Sequence, residues 1–368
     1  MKPYIPESLP LKNLNYELLF PFLGDASSEL ARYDGLLQGI PNPTILLSPL
    51  TTKEAVLSSK IEGTQATMDE VLEQEAGMLK EGEILKDIQE ISNYRLALMK
   101  ASEYMKDYPI RLGLVRELHK ILLNSVRGEK KEPGEFRRDQ NWIGKPGSPI
   151  ERATFVPPDP LQLRDFLNEW EKYLDFNDSN FLLQAAVVHA QFELIHPFKD
   201  GNGRIGRILI PLFLYQKKQL SQPMFYLSEY LENHREEYYI RLREISQNND
   251  WNGWISFFMQ AVAVQAKENS FKVKLIMKLY EDMKMKIQEI THSQYSVKLL
   301  DAIFNRPIFE TASLVKQSGI NKKTAMSLLK TIRNHNILTL LREASGRKPA
   351  VYCFPELLKI TEGGYRTT

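Results

Sequence analysis

The chain of 368 residues has one cysteine, Cys353. No disulfide can close within it, cysteine-rich zinc sites are excluded, and such cysteine usage suits a reducing compartment. Long apolar runs are missing too. The most apolar stretch, ILIPLFLY at 208–215, falls far short of the roughly 20 residues that span a bilayer. The N-terminal MKPYIPESLPLKN lacks the unbroken apolar core of a signal peptide. These absences predict a cytoplasmic protein with no membrane partner. Net charge is close to nil, formally +2, so global charge selects no partner and any nucleic-acid surface has to be local. Internal repeats, low-complexity tracts and the zinc-protease pattern HExxH are absent as well.

What is present is helical periodicity. Apolar residues make up 43 % and charged residues 26 %, ordinary for a globular protein, and the length suits two or three packed units. The spacing predicts helices at 25–40, 51–63, 66–80, 84–106, 110–125, 161–175, 179–195, 203–217, 226–247 and 252–290. In the second of these, Thr51 and Glu54 form a capping-box pattern and Gly63 fits a left-handed stop. Segment 127–160 is rich in Gly, Pro and charge, with β-prone pieces at 140–143 and 154–156, and reads as an irregular hairpin. The tail gives helices, a glycine turn, a further helix and two β-prone runs around a polar loop, the order of a winged helix-turn-helix. The expected fold is mainly α.

HPFKDGNGRIGR, residues 196–207, interrupts this apolar pattern. Pro197 disfavours helical geometry at His196 and ends the preceding helix there. Gly201 and Gly203 can take backbone angles that other residues avoid. A glycine turn feeding a helix start gathers N–H groups into an anion site, strengthened by the helix dipole. Arg204 and Arg207 lie three apart and lean to one side of that helix. Two guanidiniums over such a nest suit a polyphosphate, and Asp200 is then a hard oxygen ligand for Mg2+. His196 is the one group here that ordinarily titrates near neutrality, hence the candidate general base. No Gly-Lys-Ser/Thr follows, so this is not a Walker A loop.

The stretch resembles the signature of Fic-domain proteins, His-Pro-Phe-x-Asp-Gly-Asn-Gly-Arg-x-x-Arg, at every defined position. The resemblance implies a Fic-type helical core with a β-hairpin flap and the transfer of AMP from ATP to a protein hydroxyl. It makes His196 the base, Asp200 the Mg2+ ligand, Gly201, Asn202 and Gly203 the phosphate cradle, and Arg204 and Arg207 the holders of its outer end. Ile205 and Gly206 complete that nucleotide-binding window. Doc-type relatives, which transfer phosphoryl groups, carry Lys where this chain has Gly203, so AMP transfer is favoured. SSKIEG is similar to the family's inhibitory motif, with Ser58, Glu62 and Gly63. Ser58 and Glu62 share a helical face, and Glu62 sits in the last turn, where the dipole disfavours a carboxylate. The resemblance pairs Glu62 with Arg207 and so implies autoinhibition. GEFRRDQNWIG resembles the flap that holds the target segment by strand addition, which places Trp142 and Ile143 beside the nucleotide. Tyr238 and Tyr239 align with residues near the adenine pocket.

The implied layout is a helical region at 1–100 with its inhibitory helix at 51–63, a catalytic core at 101–292 with a flap at 134–157, and a winged-helix domain at 293–368. Across residues 310–360 there are nine Lys/Arg against three Asp/Glu, a surface for DNA. Expected partners are ATP, Mg2+, a protein substrate on the flap and the protein itself; a homodimer is allowed. Three alternatives stay open: removal of AMP through the same site, a DNA-binding transcription regulator, and a di-metal site from Glu-x-x-His at Glu193/His196 and Glu289/His292.

Overall fold

A computed structural model describes residues 2–78, 81–124, 131–145, 147 and 149–364. It is mainly helical, with one small three-stranded sheet. The chain forms two compact units that do not follow chain order. The first comprises Met1–Asp34, Leu57–Thr64 and Ser92–Lys267; the second comprises Gly35–Val56, Gln65–Ile91 and Glu268–Thr368.

The first unit is built around helix Phe181–Ile195, apolar on every side and buried at 13 of its 15 positions. Asn180 caps its start by accepting from the N–H groups of Leu182 and Leu183. Two buried tryptophans fix its backbone: Trp170 Nε1 donates to Val188 O and Trp254 Nε1 to Ala186 O, both at 2.9 Å. Helix Asn202–Gln216 packs against it, so the six residues 196–201 between the two must turn tightly.

The inhibitory-motif helix is Ser48–Ile61, one turn longer at its start than the sequence suggests. Thr51 is therefore interior: its N–H donates to Leu47 O, as does its hydroxyl. The capping box lies instead at Thr67 and Glu70, opening helix Met68–Glu75. The inhibitory-motif helix also ends at Ile61, two residues before the expected 63, so Glu62 lies just past its last turn; Gly63 is left-handed as expected, at φ +105°.

The hairpin at 134–157 carries less strand than its composition suggests. Among the described residues its two limbs meet in a single bridge, Ile143 to Phe155, with a short 3-10 turn, Ile150–Arg152, between them. Proline explains this, because Pro149, Pro157 and Pro158 offer no N–H to a ladder. Pro146 and Ser148 lie outside the described residues.

In the second unit, helix Ser296–Asn305, β1 (Ile308–Glu310), helices Thr311–Ser318 and Lys322–Asn334, β2 (Thr339–Arg342) and β3 (Val351–Cys353) follow in the order of a winged helix-turn-helix. The antiparallel sheet runs β1-β3-β2, with Cys353 opposite both Ile308 and Thr339. Gly319, at φ +66°, makes the turn between the two middle helices. β1 is three residues long and escapes periodicity analysis. Among the described residues no helix is long and apolar enough to cross a membrane.

Candidate active site

His196 ends its helix in the left-handed region, φ 49° and ψ 62°. The proline rule predicts an extended residue here. The chain has another solution, which costs about 1–3 kcal/mol and must be held by its surroundings. His196 N donates to Phe192 O at 3.0 Å, and its carbonyl accepts from Arg137 Nε at 2.9 Å. Arg137 is 2 % exposed. It also donates from Nη2 to Pro158 O at 2.6 Å and from its backbone to Pro197 O at 2.9 Å. Burial lowers its pKa to about 10, with Asp159 opposing, so it keeps its charge at neutral pH. Sequence reasoning missed Arg137. It stands next to exposed Arg138, and nothing local distinguishes them.

The His196 ring donates from Nδ1 to the Glu193 carbonyl at 3.3 Å. That bond fixes the tautomer and leaves Nε2 as the proton-accepting nitrogen. Burial lowers the imidazole pKa to about 4, against the bond to Glu193 O, and Arg137 adds to the lowering. At neutral pH the ring is therefore uncharged and able to take a proton.

The turn after His196 is braced from both sides. Asn202 is 2 % exposed; its Oδ1 accepts from Phe198 N at 2.8 Å and its Nδ2 donates to Phe198 O at 2.9 Å. Its side chain thus closes the loop, and only its backbone is left to face an anion. Gly201 sits at φ +76°, where a side chain would be strained. His119 stacks on Phe198 with ring centroids 3.7 Å apart. It accepts from Gly134 N at 2.9 Å and donates through Nε2 to Asp200 O at 3.0 Å. Among the described residues no side chain caps helix Asn202–Gln216. Asp200 Oδ1 accepts from Gly201 N at 2.6 Å and lies 3.5 Å from Arg204 Nη2.

Arg207 reaches the inhibitory motif. Its Nη2 meets Glu62 Oε1 at 2.6 Å, its Nε donates to Ser58 Oγ at 2.8 Å, and Nη2 also donates to Ser58 O at 2.8 Å. The Arg207 side chain is 1 % exposed and that of Glu62 34 %. Burial opposes ionisation of Glu62. The Arg207 guanidinium outweighs it by charge and hydrogen bond, with Arg204 and His196 adding, and holds the carboxyl below its usual range. Gly203 makes this contact possible. Its backbone is ordinary helix, contrary to the unusual angles expected of it. The need is for space, since a Cβ there would fall 2.2 Å from Glu62 Oε1 and 2.9 Å from Arg207 Nη1.

These groups border a cavity of about 450 Å³, lined by Glu62, His196, Gly203 and Arg207 at one end and by Ile143, Tyr238, Tyr239 and Leu242 elsewhere. Tyr239 O–H donates to Ile61 O at 3.4 Å. Tyr238 donates to His189 Nε2 at 3.0 Å, while His189 Nδ1 donates to Gly206 O at 3.1 Å. Trp142 is 42 % exposed and does not line the cavity. Ile205 is fully buried and contributes to the core, not the cavity. Glu193, also on the cavity wall, went unassigned as a nucleotide-site residue. Its Oε1 is buried without a hydrogen-bond partner, and burial pushes its pKa up to about 8, with Arg207 opposing and Glu62 adding. The one signal for it is that it is the only carboxylate in a largely apolar helix.

Among the described residues no group of three or more His, Cys, Asp or Glu could hold a metal. The di-metal expectation for Glu193/His196 has no donor set: the His196 ring addresses the Glu193 backbone, not its carboxylate. Asp200 fits a cation whose other ligands come from phosphate and water, because among the described residues its Oδ2 accepts no hydrogen bond and its side chain is 44 % exposed.

The buried histidines carry a pH prediction. Burial lowers His119 to about 4, His189 to about 3 and His196 to about 4. Each contributes stability above its unfolded pKa and loses it as pH falls toward the folded value. Glu193 works the other way, its stability fading as pH rises from the ordinary carboxyl value toward 8. Between about pH 6.5 and 5 the three histidines outweigh Glu193, so unfolding takes up protons on balance and stability falls on acidification. Urea denaturation at stepped pH should show stability falling through this window on acidification. A flat profile would mean that the rings titrate freely.

Residues 20–103 match the family model for the Fic/DOC family N-terminal region and residues 109–214 that for the Fic/DOC family. A protein adenylyltransferase Fic from Drosophila mojavensis is 32 % identical over 182 residues, covering 45 % of this chain and 34 % of that protein. One from Aedes aegypti is 29 % identical over 189 residues, 50 % and 34 % of the two. The chain thus spans about a third of the length of these curated relatives. A Fic family protein from Desulfovibrio desulfuricans G20 superposes with a TM-score of 0.57 at 19 % identity, over 96 % of this chain and 98 % of that one. A Fic domain containing signaling protein from Bacteroides thetaiotaomicron VPI-5482 gives 0.55 at 17 %, over 68 % and 97 %. These two show a shared fold.

Proposed function

Since the chain belongs to the Fic/DOC family, we propose that it transfers AMP from ATP to a hydroxyl side chain of a protein, and that Glu62 holds the resting enzyme off. One observation carries this reading: Glu62 binds the Arg207 guanidinium on the wall of the cavity that His196 also lines. The naming of relatives as protein adenylyltransferases supports it.

Nucleotide would lie in the cavity with its base near Ile143, Tyr239 and Leu242 and its phosphates over the start of helix Asn202–Gln216. His196 Nε2 takes the proton of the target hydroxyl. Its oxygen bonds to the α-phosphorus as the bond to the bridging oxygen breaks, and pyrophosphate leaves against Arg204 and Arg207. Negative phosphates raise the basicity of His196 above its resting value. Asp200 would hold Mg2+, which supplies neutralisation of phosphate charge when bound. The target segment adds to the exposed edge at Ile143, 43 % accessible, and the protein is among its own targets. Glu62 blocks the route until it leaves Arg207.

Glu62 is a third exposed and borders the same cavity. This favours a second use, in which its carboxylate orients water to remove AMP from a modified protein. Labelled ATP separates the readings. Label at the α-phosphate should enter protein and label at the γ-phosphate should not. Transfer from the γ position would make the site a kinase, and loss of AMP from pre-labelled protein on adding wild-type enzyme would establish the reverse direction.

A further inference from the structure

The AMP-transfer reading makes no use of the second unit's basic face. Helix Lys322–Asn334 buries Ala325, Leu328, Leu329 and Ile332. At 100° per residue, the stripe beside this buried face carries Lys322, Met326, Lys330 and Arg333, all exposed, and the helix contains no Asp or Glu. Between this helix and β3 lies a depression of about 820 Å³, with Ser327, Lys330 and Arg333 on one side and Asn336 and Tyr352 on the other. Among the described residues no acidic side chain lines it. The β2–β3 loop closes with a bridge from Ser345 to Lys348 and exposes Arg347 and Lys348. In a chain of formal charge +2, this is a local concentration.

The arrangement selects a kind of anion. The cations are strung along a helix of 13 residues, about 20 Å long, and do not converge on one point, which suits an extended polyanion over a single phosphate. A helix of about 10–12 Å diameter fits the B-form major groove of about 12 Å. The loop beside it supplies a second line of contact. The face lacks the exposed aromatic rings on which unpaired bases stack, since Tyr352 is 6 % exposed. Met326 alone is too little apolar surface for a membrane.

We propose that helix Lys322–Asn334 and the β2–β3 loop bind double-stranded DNA, chiefly through its phosphates, independently of the AMP-transfer reading. The test titrates the intact protein into a labelled mixed-sequence duplex of about 30 base pairs, by fluorescence anisotropy, at about 50 and 200 mM salt. Binding is expected, with a log–log salt slope of about −4, one unit per phosphate contact. Lys330→Glu with Arg333→Glu should weaken it at least about tenfold and flatten the slope by about two. Lys330→Gln with Arg333→Gln should weaken it less and, with an unchanged melting midpoint, exclude misfolding as the cause. AMP labelling should be the same in all three proteins. No binding at the lower salt, binding that both variants leave intact, equal affinity for the single strand, or capture of an acidic polypeptide but not the duplex would each overturn the proposal.

Discussion

Replacing Glu62 with glycine is expected to raise self-labelling by α-labelled ATP about 10- to 100-fold, the worth of one charge-assisted hydrogen bond to a buried guanidinium. The estimate follows from what the substitution removes and what it leaves. The 2.6 Å contact to Arg207 Nη2 is lost. The two bonds from Arg207 to Ser58, one to the hydroxyl and one to the carbonyl, persist and keep the guanidinium aimed. Glu62 lies just past the end of helix Ser48–Ile61, so glycine there breaks no helix. The space beside Gly203 that the carboxylate filled becomes available to a phosphate oxygen. Labelling with Mg2+, wild type beside variant, checks this. Equal incorporation would remove autoinhibition from the account of this site.

The second expected result is a loss. In the Glu62→Gly background, His196→Ala should lower labelling about 10²- to 10⁴-fold, the usual contribution of a general base, with nucleotide affinity little changed. The fixed tautomer makes the prediction sharp, because Nδ1 is occupied by the Glu193 carbonyl and Nε2 alone is left to accept. His196 also occupies a left-handed backbone position, so alanine adds a conformational cost. His196→Asn separates the two effects, since asparagine tolerates that geometry but is no base. Both variants should fail to label and both should bind a fluorescent ATP analogue. Labelling that survives in the asparagine variant would assign the proton to another group.

The helical core, the glycine turn and the oddity of Glu62 were legible in the sequence because each has a local mark: a period, a Pro after His, a carboxylate where the helix dipole disfavours it; the pairing of Glu62 with Arg207 came from the family resemblance alone. The remainder depends on contacts between residues far apart in the chain. Arg137 holds the carbonyl of residue 196, and His119 bridges Gly134 and Asp200. Side chains that serve distant backbone groups leave no spacing to read. The capping pattern shows the same limit. It occurs at Thr51 and at Thr67, and only the second is a helix start, because packing of the preceding turn decides where a helix begins. Gly203 was singled out for the wrong property: its absent side chain matters, not its backbone freedom.

The buried staple at Arg137 has a mechanical consequence. One guanidinium grips the backbone of the base and that of Pro158, while Asn141 Nδ2, on the hairpin's first limb, donates to Phe198 O. On the proposed function, the edge that would receive a guest polypeptide and the nitrogen that would deprotonate it are therefore tied to one guanidinium. Recognition and reactivity would then share a single mechanical anchor.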